Sequence, residues 1–252
     1  MLRSFLLWGV IVLLLGPAIV GCGQNSEPTS PPPSSQSASP APKDGFGQRF
    51  GQDVTAQPGR ATAQSTGDRA KIVAFGDSLT AGLGVTPEEA YPAQLQRKLQ
   101  ALGHEYQVIN AGVSGDTTAG GLRRVDWVLK GRPQIVILEL GANDGLRGID
   151  PAQTQANLEQ IIQRLQTAGV IVLLAGMKLP PNYGRDYTSR FEAIYPELAR
   201  KYRLVLIPFF LEGVAAQRAL NQADGIHPTG AGYQIIVDQL LPLLERVLAP
   251  AA

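Results

Sequence analysis

The chain has few of the residues that would place it in several common protein classes. Its 252 residues include one cysteine, Cys22, so disulfide bonds within the chain are excluded. Lysine and arginine number 22 against 21 aspartates and glutamates, a balance that gives no reason to expect nucleic acid as a partner. No His-Glu-x-x-His, Walker or dinucleotide-glycine motif is present, so we expect no metal and no organic cofactor. Stability must therefore come from a hydrophobic core.

An apolar run follows Arg3 within residues 1–21 and ends at Ile19-Val20-Gly21-Cys22. The run is shorter than the ~20 residues that a membrane-spanning helix needs. Its end resembles the lipobox of bacterial lipoprotein signal peptides, in which the cysteine is acylated and becomes the mature N-terminus. We interpret residues 1–21 as such a signal peptide and expect lipidation of Cys22. The alternative is a plain secretory signal or a short membrane anchor, with Cys22 incidental.

Residues 22–69 contain Pro31-Pro32-Pro33-Ser34-Ser35 among scattered glutamine, serine, threonine and alanine. Apolar residues are too sparse there to offset the entropy of ordering, so we predict a disordered tether. Such a tether lets a folded domain move some distance from a bilayer while staying attached. The predicted location is the bacterial cell envelope, facing the periplasm or the cell surface.

Residues 70–249 alternate between short apolar runs and amphipathic segments. The predicted strands are Ile72–Phe75, Tyr106–Ile109, Ile135–Leu138, Val170–Leu174 and Leu204–Ile207. The predicted helices span about 88–102, 119–130, 153–168, 188–202 and 230–248, and the third is expected to use Asp150 as its N-cap. Continuous apolar strands suit a parallel sheet that is covered on both faces. We predict one three-layer α/β/α domain with a five-stranded, doubly wound parallel sheet of the flavodoxin-like type.

Polar, glycine-containing segments follow the first three strands and precede the last helix. They are Gly76-Asp77-Ser78, Asn110 to Asp116, Gly141-Ala142-Asn143-Asp144 and Asp224-Gly225-Ile226-His227-Pro228. Ligands of such folds bind beyond the carboxyl ends of the strands, so we expect these segments to meet at one site.

One of only two histidines, His227, lies three residues after Asp224. A carboxylate at this spacing can orient the imidazole, and Ser78 offers a hydroxyl nucleophile. Together the three supply what acyl transfer through a covalent intermediate needs. The alternative is that His227 caps a helix or packs in the core. The other histidine, His104, lacks such neighbours and is expected in a surface loop.

Acyl transfer also needs hydrogen-bond donors for the developing oxyanion. The backbone N–H of Gly115 and the side-chain amide of Asn143 are candidates. Glycine and asparagine also serve turns well, so the spacing alone leaves both interpretations open.

These segments resemble the four blocks of the SGNH (GDSL) hydrolase family, in order, and the similarity spans about residues 71–248. Three longer stretches resemble its bacterial thioesterase I/lysophospholipase (arylesterase) branch: Glu139 to Gly148, Leu179 to Gly184 and Ala193 to Pro196. The resemblance implies Ser78 as nucleophile, His227 as general base and then acid, and Asp224 as the residue that orients His227. It also implies an oxyanion hole made by the N–H groups of Ser78 and Gly115 and the Asn143 side chain.

The predicted function is therefore that of a serine esterase or thioesterase acting on aryl esters, lysophospholipids or acyl thioesters. Leu146, Leu179, Pro180 and Tyr183 are expected to border the acyl pocket, although they could instead only pack two loops together. We expect no nucleic-acid partner, a membrane reached through the lipid anchor, and a monomer. The alternatives are a carbohydrate O-acetylesterase and a non-catalytic envelope lipoprotein.

Overall fold

A computed structural model describes residues 69–248 of the chain. The expected signal peptide, the lipidation of Cys22 and nearly all of the tether lie outside the described residues, as does the last predicted domain residue, 249. Within residues 69–248, no helix is both long and apolar enough to cross a membrane.

Five parallel strands form one sheet. They are β1 (Ala70–Gly76), β2 (Tyr106–Gly112), β3 (Ile135–Glu139), β4 (Ile171–Ala175) and β5 (Val205–Ile207). Their order in the sheet is β2-β1-β3-β4-β5, which confirms the predicted doubly wound topology. The chain changes its winding direction between β1 and β3, and such a switch point is where ligands bind in this fold.

Helices cover both faces of the sheet. They are α1 (Ser78–Ala81), α2 (Tyr91–Ala101), α3 (Thr118–Lys130), α4 (Ala142–Leu146), α5 (Pro151–Thr167), α6 (Arg185–Tyr202) and α7 (Gly230–Glu245). A short 3-10 turn spans Pro181–Tyr183. The α2 helix packs against α7, while α5 packs between α3 and α6, so the predicted three layers are present.

The central strands are the most deeply buried part of the fold. Every residue from Ile72 to Gly76 in β1 is buried, as is all of β3. The edge strands β2 and β5 are only partly covered. The polar segments Gly76 to Ser78 and Gly141 to Asp144 therefore follow the two most deeply buried strands of the sheet.

Several helix boundaries differ from the predictions for local chemical reasons. The α2 helix begins at Tyr91 rather than near 88 because Thr86 N donates to Glu89 Oε2 (3.1 Å) in a separate turn. The α6 helix begins at Arg185 instead of 188, directly after Gly184 at φ +86°. By contrast, the predicted cap of α5 is confirmed, because Asp150 Oδ1 accepts from Ala152 N at 3.1 Å.

Candidate active site

Ser78 begins α1, immediately after the end of β1. The Asp77 side chain caps this four-residue helix by accepting a hydrogen bond from Leu79 N at 3.0 Å. Gly82 ends the helix at φ +80°, a conformation that favours glycine, and its N–H donates to Ser78 O. The strand and the two caps thus fix the Ser78 backbone, and 9% of the residue remains exposed.

His227 and Asp224 lie in the loop that precedes α7. His227 Nδ1 is 2.7 Å from Asp224 Oδ2, and His227 Nε2 is 2.9 Å from Ser78 Oγ. Asp224 Oδ1 also accepts from the backbone N–H groups of Ile226 (2.9 Å) and His227 (3.0 Å). The structure therefore joins the three predicted residues in one series, although Ser78 and His227 are 149 residues apart in the chain.

Asp224 is held in its charged form. The backbone N–H groups of His227 and Ile226, and then the His227 side chain, lower the pKa of Asp224 to about 2. A carboxylate that stays ionised keeps His227 in the tautomer that has a proton on Nδ1 and a free lone pair on Nε2. His227 Nε2 is then ready to accept the proton of Ser78 Oγ.

Asn143, in α4, lies beside the Ser78 turn. Its Nδ2 donates to Asp77 Oδ2 at 3.0 Å, which leaves the second amide hydrogen for another acceptor. Gly115 is exposed at φ +79°, and its carbonyl accepts from Arg147 Nη2 at 2.9 Å. Sequence reasoning did not identify this contact of Arg147, which ties the α4 end to the loop after β2.

Arg124 of α3 is a further residue that the sequence analysis missed. Its guanidinium donates to Gly76 O (2.8 Å), Ala111 O (2.7 Å) and Asp116 Oδ2 (2.7 Å). It also lies over the Phe75 ring, 4.4 Å from the centroid. One cation therefore satisfies carbonyl groups at the ends of two strands and fixes the loop that contains Gly115. An arginine in an amphipathic helix carries no sequence signal for such a role.

Asp144 connects α4 to the start of α3. Its Oδ2 accepts from Thr118 N at 2.8 Å, and its Oδ1 accepts from the Thr118 hydroxyl. The Asp144 side chain is buried, so these charge-assisted bonds are shielded from water. They fix the position of α4 and hence of Asn143.

A buried acidic pair, Asp77 and Glu139, lies behind the nucleophile. Glu139 Oε2 accepts from Thr80 Oγ1 (2.7 Å) and from Asp77 N (3.3 Å). Burial raises the pKa of Asp77 to about 6, although hydrogen bonds from Leu79 N–H and Asn143 oppose that effect. Burial also raises the pKa of Glu139 well above its usual value, and the charge of Asp77 raises it further. Sequence reasoning missed Glu139 because it ends an apolar strand.

The predicted acyl-pocket residues occupy two loops that contact each other. Leu146 is half-buried, and its carbonyl accepts from the Tyr183 hydroxyl at 3.1 Å. Leu179 is buried in the core, close to Gly145, where an added Cβ would lie 2.5 Å from a Leu179 methyl. Pro180 is exposed. The structure thus brings Leu146, Leu179 and Tyr183 together, with Leu179 in a packing position.

His104 lies half-buried in the loop between α2 and β2, at the amino ends of the strands and so opposite the catalytic segments. In residues 69–248, no three side chains of the metal-binding types are grouped to hold an ion.

A serine hydroxyl, an imidazole and an ionised carboxylate linked in series at the carboxyl edge of a doubly wound sheet define a serine hydrolase. Comparison with known proteins identifies the family. Residues 74–235 match the GDSL-like Lipase/Acylhydrolase family, and the chain belongs to it. It is accordingly an enzyme that hydrolyses carboxylic acyl esters, and the predicted SGNH resemblance is confirmed.

Named relatives match most of their own length. Esterase TesA of Pseudomonas aeruginosa is 43% identical over 178 residues, which are 70% of this chain and 89% of that protein. Thioesterase 1/protease 1/lysophospholipase L1 of Escherichia coli K12 is 43% identical over 192 residues, covering 74% of this chain and 88% of the relative. The crystal structure of TesA matches with a TM-score of 0.69 at 43% identity, over 71% of this chain and 99% of that one.

Proposed function

We propose that the chain hydrolyses aryl esters, acyl thioesters and lysophospholipids through an acyl-enzyme formed on Ser78. The observation that carries this proposal is the unbroken hydrogen-bonded series from Ser78 Oγ through His227 to Asp224. Relatives with 43% identity are named as an esterase and as a thioesterase and lysophospholipase. Those names favour acyl esters and thioesters over acetylated sugars as substrates. They also favour an enzyme over a non-catalytic lipoprotein.

In the first half of the reaction, Ser78 Oγ attacks the carbonyl carbon while His227 Nε2 takes the hydroxyl proton. The resulting tetrahedral intermediate collapses as the bond to the leaving oxygen or sulfur breaks, and His227 returns its proton to that atom. Water then attacks the acyl-enzyme and passes a proton to His227. The second tetrahedral intermediate collapses as its bond to Ser78 Oγ breaks, and His227 returns the proton to Ser78 Oγ, which releases the acid and restores the enzyme. Asp224 stays ionised throughout and stabilises the imidazolium.

We assign the oxyanion hole to the N–H groups of Ser78 and Gly115 and to the Asn143 amide. Asn143 is held by Asp77, the residue next to the nucleophile, and Gly115 is held by Arg147. Donors fixed in this way need no reorganisation when negative charge develops on the substrate oxygen.

Apolar side chains on the catalytic segments favour an alkyl chain as the acyl group. Leu83, Val113 and Ile226 are large hydrophobic residues that are exposed. Leu83 N donates to Ser78 O, Val113 N donates to Gly76 O, and Ile226 precedes His227. Leu146, Tyr183 and the exposed Pro180 would form the opposite border of the acyl pocket, with Leu179 beneath them.

We further propose that Cys22 is the lipidated mature N-terminus and that the enzyme acts in the bacterial envelope, attached by the tether of residues 22–69. The Ile19-Val20-Gly21-Cys22 sequence supports this assignment. We also propose a monomer, because Ser78, His227 and Asp224 all come from one chain and the catalytic series is complete without a second copy.

The test is a substrate profile of the purified full chain, and the Ser78→Ala variant serves as the inactive control. The panel contains p-nitrophenyl esters of increasing chain length, acyl thioesters, lysophospholipids and acetylated sugars. We expect turnover of the first three classes and little of the fourth. Turnover confined to acetylated sugars would overturn the proposed substrate class. Equal rates for Ser78→Ala and the wild type would overturn the mechanism.

A further inference from the structure

The buried acidic pair behind the nucleophile has no part in the proton transfers described above. Glu139, the last residue of β3, pairs in register with Gly76 at the end of β1. An added Cβ on Gly76 would lie 2.4 Å from Glu139 Oε2 and 2.1 Å from Thr80 Oγ1. Only a residue without a side chain at 76 therefore lets the Glu139 carboxyl pack against the turn that leads to Ser78.

The surroundings of Glu139 favour a proton on one of the two acids. Glu139 Oε2 accepts from Thr80 and from Asp77 N, while Oε1 is buried and receives no N–H or O–H bond from any described residue. The Glu139 and Asp77 side chains are both buried, and the charge of Asp77 raises the pKa of Glu139. Two neighbouring buried carboxyl groups avoid the cost of two negative charges when one of them carries a hydrogen, which it can then donate to the other.

The proton belongs on Glu139. Glu139 is completely buried, and the hydroxyls of Tyr91 and Tyr233, which lie near it, are neutral groups that are also buried. Asp77 lies within electrostatic range of His227 and has donors on both oxygens, Leu79 N to Oδ1 and Asn143 Nδ2 to Oδ2. Those donors stabilise the anion on Asp77, so the neutral carboxyl is that of Glu139.

We propose that Glu139 is a positioning residue of this enzyme: its protonated carboxyl donates a hydrogen bond to the Asp77 carboxylate, which in turn orients the Asn143 amide toward the oxyanion. Glu139 touches no reacting atom, and its effect reaches the substrate only through Asp77 and Asn143. The inference rests on the proposed function, because it requires Asn143 to be an oxyanion donor.

The kinetic test compares Glu139→Met, which keeps the size but removes both oxygens, with Glu139→Gln, which keeps a neutral donor. We expect Glu139→Met to lower kcat by up to the ~10²–10³-fold lost with an oxyanion donor, with KM little changed. Glu139→Gln should recover at least tenfold of that loss. In the background of Asn143→Ala, the further loss from Glu139→Met should be about threefold or less, because both changes remove the same interaction.

If the kcat losses of Glu139→Met and Asn143→Ala multiply in the double mutant, Glu139 has a general structural role and the proposal is overturned. Normal kcat in Glu139→Met would also overturn the proposal about Glu139. The proposed function would stand in that case, because the wild type would still hydrolyse esters. Absence of ester hydrolysis by the wild type would instead overturn the proposed function.

A spectroscopic measurement applies even if Glu139→Met does not fold. At pH 8 the exposed carboxyl groups are ionised, so the infrared band of a protonated carboxyl carbonyl should belong to a buried acid. We expect that band in the wild-type chain and its loss in Glu139→Gln. A wild-type spectrum without the band, or a band that persists in Glu139→Gln, would overturn the assignment of the proton to Glu139.

Discussion

Ser78 and His227 share one proton, so the losses caused by removing each should not add. We expect Ser78→Ala and His227→Ala each to lower kcat by ~10⁴–10⁶, with little further loss in the double mutant. Asp224→Ala should be milder, because Asp224 orients His227 and transfers no proton. The measurement is kcat on p-nitrophenyl esters, with circular dichroism to verify folding.

The matched control for His227→Ala is His104→Ala, since His104 lies at the opposite end of the sheet and should leave kcat near the wild-type value. Near-normal turnover by purified Ser78→Ala would contradict the assignment of the nucleophile.

Asn143 tests the oxyanion hole at the level of one side chain. Its amide is held by Asp77 Oδ2 at 3.0 Å, so its second hydrogen has a defined direction. Asn143→Ala should lower kcat by about 10²–10³ because a donor made for the transition state is lost. Steady-state kinetics separate this result from the alternative: a change in KM alone would mean that Asn143 positions substrate and does not stabilise the oxyanion.

Glu139 should also give the folded protein a pH-dependent stability. An unfolded glutamate ionises near its model value of 4.5, whereas burial and the nearby Asp77 charge keep the folded carboxyl protonated well above it. Between these two pKa values the folded state therefore binds one more proton than the unfolded state. Its stabilising contribution is fully present below the unfolded pKa, and it is lost as pH rises toward the folded pKa. Within that pH range the free energy of unfolding falls by up to about 1.4 kcal/mol per pH unit for one proton.

We expect the free energy of unfolding of the wild type to fall with pH more steeply than that of Glu139→Gln above about pH 6, until the Glu139 carboxyl ionises. Asp77, whose pKa is raised to about 6, contributes below that range. Burial raises the pKa values of Tyr91 and Tyr233, so they stay neutral within it. Urea denaturation at several pH values measures the slopes, and identical slopes would contradict a protonated Glu139.

At the scale of elements, the loops that follow β3 and β4 should set acyl-chain preference. Each methylene buried against them contributes at most ~0.8 kcal/mol, roughly a fourfold gain in kcat/KM per carbon. We expect wild-type activity to rise with acyl length up to medium chains and Leu146→Asn to flatten that rise while sparing acetyl esters. The measurement is kcat/KM along an ester series. Leu102→Asn, at the distant end of α2, is the control and should keep the wild-type profile.

Leu179 needs a different expectation because it is 8% exposed and packs in the core. Leu179→Asn should lower the free energy of unfolding by about 2–5 kcal/mol, the range seen when a buried leucine is removed.

Equal loss of acetyl and octanoyl activity in Leu146→Asn would show that the loop after β3 supports the catalytic frame, and the pocket would then lie elsewhere.

At the scale of the whole molecule, the open issue is attachment to a membrane. Cys22 is the only cysteine, and it follows Ile19-Val20-Gly21. We expect wild-type cells to incorporate an alkyne fatty acid into the protein and Cys22→Ser to incorporate none. The activity of the purified domain should not change, because the catalytic residues Ser78, Asp224 and His227 all lie within residues 69–248. Wild-type protein without label would contradict the lipobox interpretation. Stable attachment would require more than one acyl chain, because a single chain binds bilayers only marginally.

The order of apolar and polar segments along the chain was enough to predict the sheet and the residues that carry out the chemistry. Alternating apolar and amphipathic segments dictate a parallel α/β sheet, and parallel strands present their carboxyl ends at one edge. Polar residues that follow such strands are therefore expected to lie close together, as Asp77 and Asn143 do. The Asp224 to His227 spacing is local, so its geometry could also be predicted.

The residues that support that site could be identified only from the way distant elements pack together. Asp77 and Glu139 are 62 residues apart, and they meet because β1 pairs with β3 in a particular register. Arg124 reaches the ends of two strands only once α3 has packed on the sheet, and Leu179 proves to be a core residue only through its packing near Gly145. Periodicity along the chain reports which face of an element is apolar. It carries no information about which atoms of distant elements come within hydrogen-bonding distance.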